Sequence, residues 1–202
     1  MKQISSLITT NPKEINLLMS TQPTETGLGM QLNSKQRELA IKKLTEVANP
    51  FETEKELLST LKSYHTYPPR ISYSFGEYTR IRIYESTYKS KEMAEKAYTA
   101  VASTMVGLPI EDCVKRLVHL SALTQKPFNE TGEDLSVRIK ALGERLSIYP
   151  ADIVIMALRE LSIREKNFPT SFSQYYQHIE SWYLSRKTLL VDTIKGMKAN
   201  YE

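Results

Sequence analysis

Three histidines, one cysteine and a few paired carboxylates are the residues of this 202-residue chain whose types suit covalent, acid–base or metal chemistry. Their spacing argues against each use. His65, His119 and His178 have no second His or Cys three or four positions away, the spacing that sets two ligands on one helix face, so no zinc site is expected. Cys113 and His119 fall on different faces of any helix that holds both, and the cysteine's apolar neighbours suit a small buried side chain better than a nucleophile. Glu111-Asp112 and Glu133-Asp134 stand where helices are expected to begin, and unpaired backbone N–H groups there account for them. Acid–base work would need them buried in a cleft. Gly27-Leu28-Gly29 lacks a following Lys-Ser/Thr and opens no strand-to-helix turn, so it is not a phosphate loop. The expectation is a non-enzyme with no cofactor and no metal.

Binding chemistry has two better candidates. Seven of the twelve tyrosines lie between Tyr64 and Tyr98, interleaved with Arg70, Arg80, Arg82, Lys89 and Lys91. Flat rings that stack on bases, beside cations that meet phosphates, are what a single-stranded nucleic-acid site needs. Tyr78, Arg80, Arg82, Tyr84, Lys89 and Lys91 are the residues that would form it. The alternative is that the tyrosines fill gaps between short helices with their hydroxyls at the surface. The second candidate is a protein-binding patch on the last helix, Trp182, Tyr183, Arg186, Lys187 and Leu190, since Trp, Tyr and Arg dominate the energetics of many interfaces. There too, Trp182 has a plain alternative as a core residue.

The elements that must position these residues are punctuated by proline. A hydrophobic fraction of 41% and a charged fraction of 25% are ordinary for a globular chain, and 202 residues suffice for one domain with a sizeable core. The net charge of +4 is spread along the length with acids between the bases, so no broad cationic face for duplex binding is expected. The apolar run Ile153–Leu158 is far short of the ~20 residues that span a bilayer, no signal segment is visible, and a lone cysteine suits a reducing cytoplasm. Residues 1–32, rich in Ser, Thr, Gln and Asn with two short apolar patches, read as a flexible arm or a docking peptide.

The bundle proper, residues 33–202, should begin at Asn33-Ser34, which can cap a helix ending before Pro50. A second helix carries Leu57, Leu58, Leu61 and Tyr64 and stops by Pro68-Pro69. Residues 71–84 read either as a short hairpin turning at Gly76-Glu77 or as helix from Glu77 onward, the spacing of Tyr78, Ile81, Tyr84 and Tyr88 favouring helix. A near-repeat with an offset of about 41 supports the helical reading. Leu108-Pro109 and Tyr149-Pro150 each follow an apolar helical stretch, each precedes an acid in a first turn, and each new helix runs out near Lys126-Pro127-Phe128 or Lys166-Asn167-Phe168. Proline at the first helical position suits both starts. The last helix, capped at Thr170 or Ser171, carries Phe172, Tyr176, Ile179, Tyr183, Leu190, Ile194 and Met197 along ~25 residues, ~37 Å. Its distal part, from Arg186 on, either packs back along the bundle or projects towards a partner or a second copy.

From about Leu117 to Met197 the chain resembles small uncharacterised prophage proteins whose C-terminal half shows Leu-x-x-Tyr-Pro-x-Asp-Val-Val, an Ala-Leu helix, Phe-Pro-Thr and a closing Arg-x-x-Leu-Leu. The corresponding residues are Leu146–Val154, Ala157-Leu158, Phe168-Pro169-Thr170 and Arg186–Leu190; the usual Trp-Ala-Glu after Phe-Pro-Thr is Ser171-Phe172-Ser173. A similar rhythm occurs in phage loaders of the replicative helicase. The resemblance implies a cytoplasmic replication accessory with a replicative helicase or initiator as partner. The expectation is therefore an all-α bundle of about seven helices that acts by protein–protein contacts. Single-stranded nucleic-acid binding, or self-assembly through the last helix into a homo-oligomer, is the alternative.

Overall fold

A computed structural model describes residues 32–66, 70–71, 83–84, 87–125 and 131–201. The expected arm lies outside them. Seven helices make up the described body: α1 (Ser34–Val47), α2 (Pro50–Tyr64), α3 (Lys91–Ser103), α4 (Ile110–Leu123), α5 (Gly132–Leu146), α6 (Ala151–Arg164) and α7 (Phe172–Tyr201). The all-α bundle is as expected, and no described helix is long and apolar enough to cross a membrane.

Local chemistry explains most of the boundaries. Asn33 accepts from the Gln36 N–H while the Gln36 side chain accepts from the Asn33 N–H, a reciprocal cap worth about 1 kcal/mol. Asn49 caps α2, whose first residue is Pro50. Between them Ala48 turns the chain in the left-handed region, at φ 45°. Before α3, residues Arg70–Ile71 (β1) pair antiparallel with Ile83–Tyr84 (β2), and His65 bridges Tyr88. The pairing at Ile83–Tyr84 corrects the expectation of continuous helix from Glu77: extended backbone there satisfies its hydrogen bonds across the chain, and the next described helix begins at Lys91, capped by Ser90. The turn at Gly76-Glu77 lies outside the described residues.

The near-repeat is structural. Pro109 (φ −54°, ψ 147°) and Pro150 (φ −53°, ψ 137°) have nearly the same extended backbone, and each is followed by a helix of 14 residues. Both prolines are therefore N-caps rather than first helical residues; their carbonyls accept from the first turn, Cys113 and Val154 respectively. The two joints lie side by side. Gly107 bridges Pro150, the Ala151 N–H donates to the Val106 carbonyl at 3.0 Å, and a Cβ at Gly107 would collide with the Ser147 carbonyl. The far ends are tied as well: the Gln125 N–H donates to the Lys166 carbonyl (2.8 Å) and the Phe168 N–H to the Gln125 carbonyl (2.9 Å). So α4 and α6 run parallel, joined by backbone at both ends. Helix α5 packs on α4, closely enough that a Cβ at Gly143 would stand 2.6 Å from the Val114 Cγ2.

Helix α6 is the centre. Ala151–Ile155, Ala157, Leu158 and Leu161 are buried, because α1, α4 and α7 surround it, and this accounts for its uninterrupted apolar run. Helix α7 is the spine. It runs 30 residues, ~45 Å, with Tyr175 and Ile179 in the main core and Leu189, Leu190, Thr193 and Met197 buried further on. Its distal part packs along α3, whose Ala94, Ala97 and Val101 are fully buried. The small alanine side chains let the two axes approach.

Candidate functional site

Of the expected nucleic-acid residues, Tyr78, Arg80 and Arg82 lie outside the described residues. Tyr84 is in β2. Lys89 is exposed and its Nζ donates to the Ser63 carbonyl at 2.6 Å; Lys91 is exposed at the first position of α3. Two of the neighbouring tyrosines serve the core. Tyr98 is buried against the bundle, and the buried Tyr88 ring lies 4.5 Å, centroid to centroid, from His65. His65 Nδ1 is 2.6 Å from the Leu61 carbonyl, and burial lowers its pKa below the ordinary imidazole value.

The patch expected on the last helix divides. Trp182 and Tyr183 are half-buried against the core, and the Tyr183 ring meets Tyr149 edge-on at 5.0 Å. Lys187 is half-buried, with Nζ 5.9 Å from the Tyr183 ring centre. Leu190 is buried, and Arg186 is 0% exposed. Arg186 and Leu190 are thus corrected from partner contacts to interior residues, and the distal helix does not project.

The reason is a buried ionic cluster. Arg186 grips Asp152 with both ends of its fork, Nη1 to Oδ1 at 2.8 Å and Nη2 to Oδ2 at 2.6 Å. Nη1 also donates to the Thr104 carbonyl (2.9 Å) and Nη2 to that of Pro50 (3.4 Å). Glu54 stands opposite Nε, 3.6 Å away and itself 4% exposed. One side chain of α7 therefore binds the first turn of α6, the first residue of α2 and the residue after α3. Planar bidentate geometry is what Arg supplies and Lys does not. Burial pushes the Glu54 carboxyl up to about 7, overcoming the pull of the Arg186 charge, and the nearby Asp152 pushes it the same way. Arg186, Asp152 and Glu54 are all buried, and their contacts tie four helices together.

The chemical candidates disperse. Cys113 is fully buried and its thiol is pushed up to about 12 by desolvation, whereas His119 is exposed. His178 pairs with Glu160 at 2.8 Å. No group of three His, Cys, Asp or Glu is placed to hold a metal among the described residues. The Glu133-Asp134 pair begins α5 as expected, with Asp134 in a reciprocal cap with Thr131 that lowers its pKa.

A different surface emerges where α4 and α6 lie side by side. Between them is a groove of about 410 Å³ with Leu120, Leu123, Ile155 and Leu158 in it and Lys115, Arg116, His119, Arg159 and Ser162 around it. Leu123 is 59% exposed. The hint of this in the sequence is that Leu123 falls off the Cys113–Leu117–Leu120 stripe of α4. Comparison with family models, with curated proteins and with solved structures finds no match for this chain.

Proposed function

We propose that the chain is a non-enzymatic replication accessory of phage or plasmid type that works by binding another protein, with the α4–α6 groove as its docking face. One observation carries the docking reading: the groove is apolar at its floor, open to solvent, and built on two helices fixed to each other at both ends. The convergent ionisable residues, by contrast, are sealed inside the bundle around Arg186. A preformed groove loses little conformational freedom on binding, so more of the ~25 cal/mol per Å² of apolar burial appears as affinity. The replication assignment draws on the likeness of the Leu146–Leu190 punctuation to helicase loaders, and it makes the replicative helicase or the initiator the partner.

The test is co-elution of the purified chain with a bacterial replicative helicase or initiator on size exclusion. The wild-type chain is expected to co-elute with one of them. Leu123→Glu, which places a charge on the groove floor at an exposed position, is expected to release it while helicity stays unchanged. A folded wild-type chain that retains neither protein overturns the replication assignment.

A further inference from the structure

We infer that the α4–α6 groove takes an acidic amphipathic helix, laid along the two parallel helices with its apolar face down and carboxylates on both flanks. The inference rests on the docking reading above and names the partner's chemistry. Three features of the groove select that occupant. Its walls carry one guanidinium each, Arg116 on α4 and Arg159 on α6. Among the described residues neither has an ion-pair partner, whereas Lys115 is already engaged by Asp112 at 3.4 Å. Arg at an interface favours bidentate contact with a carboxylate. Cations on both sides of an apolar strip match a helix with Leu-type residues at i, i+3, i+4 and i+7 and Glu or Asp on either flank.

Length is the second feature. The lining runs from Lys115 to Leu123 on one wall and from Ile155 to Ser162 on the other, ~12 Å along the helices, which accommodates about two turns of a partner helix, the span of an i, i+3, i+4, i+7 set. The third is the floor itself. It is aliphatic, with the His119 imidazole as the one ring in the lining, so single-stranded nucleic acid would meet the cations but no run of rings on which successive bases could stack. A lipid surface would reach the exposed Ile163 and Leu123 but not the recessed Leu120 and Leu158.

The probe is a labelled synthetic peptide of about 18 residues with Leu at i, i+3, i+4 and i+7 and Glu on both flanks, compared with the same peptide carrying Lys for Glu. Anisotropy is expected to show saturable binding of the acidic peptide, at least about tenfold tighter than the basic one at low salt. Arg116→Glu with Arg159→Glu should reverse that preference while circular dichroism stays unchanged, since both side chains are at the surface. Absence of saturable binding by about 1 mM, equal affinity for the two peptides, an unreversed preference in the double variant, or tighter binding to poly(dT) or anionic vesicles would each overturn the inference. If the peptide fails while helicase or initiator still co-elutes, the acidic-helix inference falls and the accessory reading stands. If the peptide binds and neither protein co-elutes, the replication assignment falls alone.

Discussion

Helices α4 and α6 begin from the same local instruction and end in opposite environments. Each follows a proline in the same extended conformation, each has 14 residues, and each is closed by the N–H of the residue after it, Thr124 or Glu165, donating to a leucine carbonyl, Leu120 or Leu161. Yet the acid that follows the proline by two positions is exposed in α4, Glu111, and fully buried in α6, Asp152. The first stands exposed in the first turn of its helix. The second meets a guanidinium inside the protein. Position in the bundle makes the difference: α6 is covered by α1 and α7, whereas α4 has α5 on one side and open groove on another. A repeated sequence signal sets a helix start, and its neighbours decide what the acid there is worth.

The sharpest way to break this comparison is to remove the cation that only α6 has. Arg186→Ala strands Asp152 in the interior and leaves the Thr104 and Pro50 carbonyls without their donor, so a loss of about 3–5 kcal/mol is expected in urea unfolding. A loss under about 1 kcal/mol would mean that the cluster is not what seats the distal half of α7. Deleting residues 186–202 would take the same contact with Leu189, Thr193 and Met197, so that truncation is expected to unfold the body rather than isolate a partner surface.

A smaller effect comes from pH. Glu54 binds its proton more tightly when folded, at about 7 against an ordinary 4.5, so the folded state holds more protons across that window and stability declines as pH rises through it. The decline is on the order of 3 kcal/mol between pH 4.5 and pH 7. His65, whose pKa is lowered by burial, works the other way as pH falls through the imidazole range. The clean measurement is therefore the difference from Glu54→Gln, which should gain on the wild type as pH rises. A difference that is flat from pH 5 to pH 8 would remove Glu54 as the cause.

The smallest effect sharpens the pair directly. Glu111→Gln should cost about 0.3–1 kcal/mol at low ionic strength and less in salt, as a helix-terminus charge does. Asp152→Asn should cost several times more and respond little to salt. Equal losses at the two positions would erase the distinction drawn here.

Much of the framework was legible in the residues. Asn33, Asn49-Pro50, the two proline joints and Ser171 mark boundaries through short-range chemistry, and the 41-residue echo pointed to α4 and α6 as like units. What escaped reading depends on distance along the chain. Arg186 interrupts the stripe of α7 and looks like a surface cation until Asp152, 34 residues away, is folded against it. The same holds for the groove: Arg116 and Arg159 belong to separate helices, and it is the backbone ties at both ends and the shared core that set their walls together. Residues 71–84 split because a tyrosine every few positions fits both periods, and the Ile71–Ile83 pairing resolves the ends for the extended form.

The Arg186 hub also bears on how the bundle opens. Helix ends normally fray one turn at a time and exchange their amide hydrogens early. Here the guanidinium sits midway along α7 and is shared with the starts of α2 and α6 and the end of α3, so that helix cannot peel past Arg186 without releasing three others. Amides on either side of it should exchange in a single concerted event, at the rate at which the whole bundle comes apart.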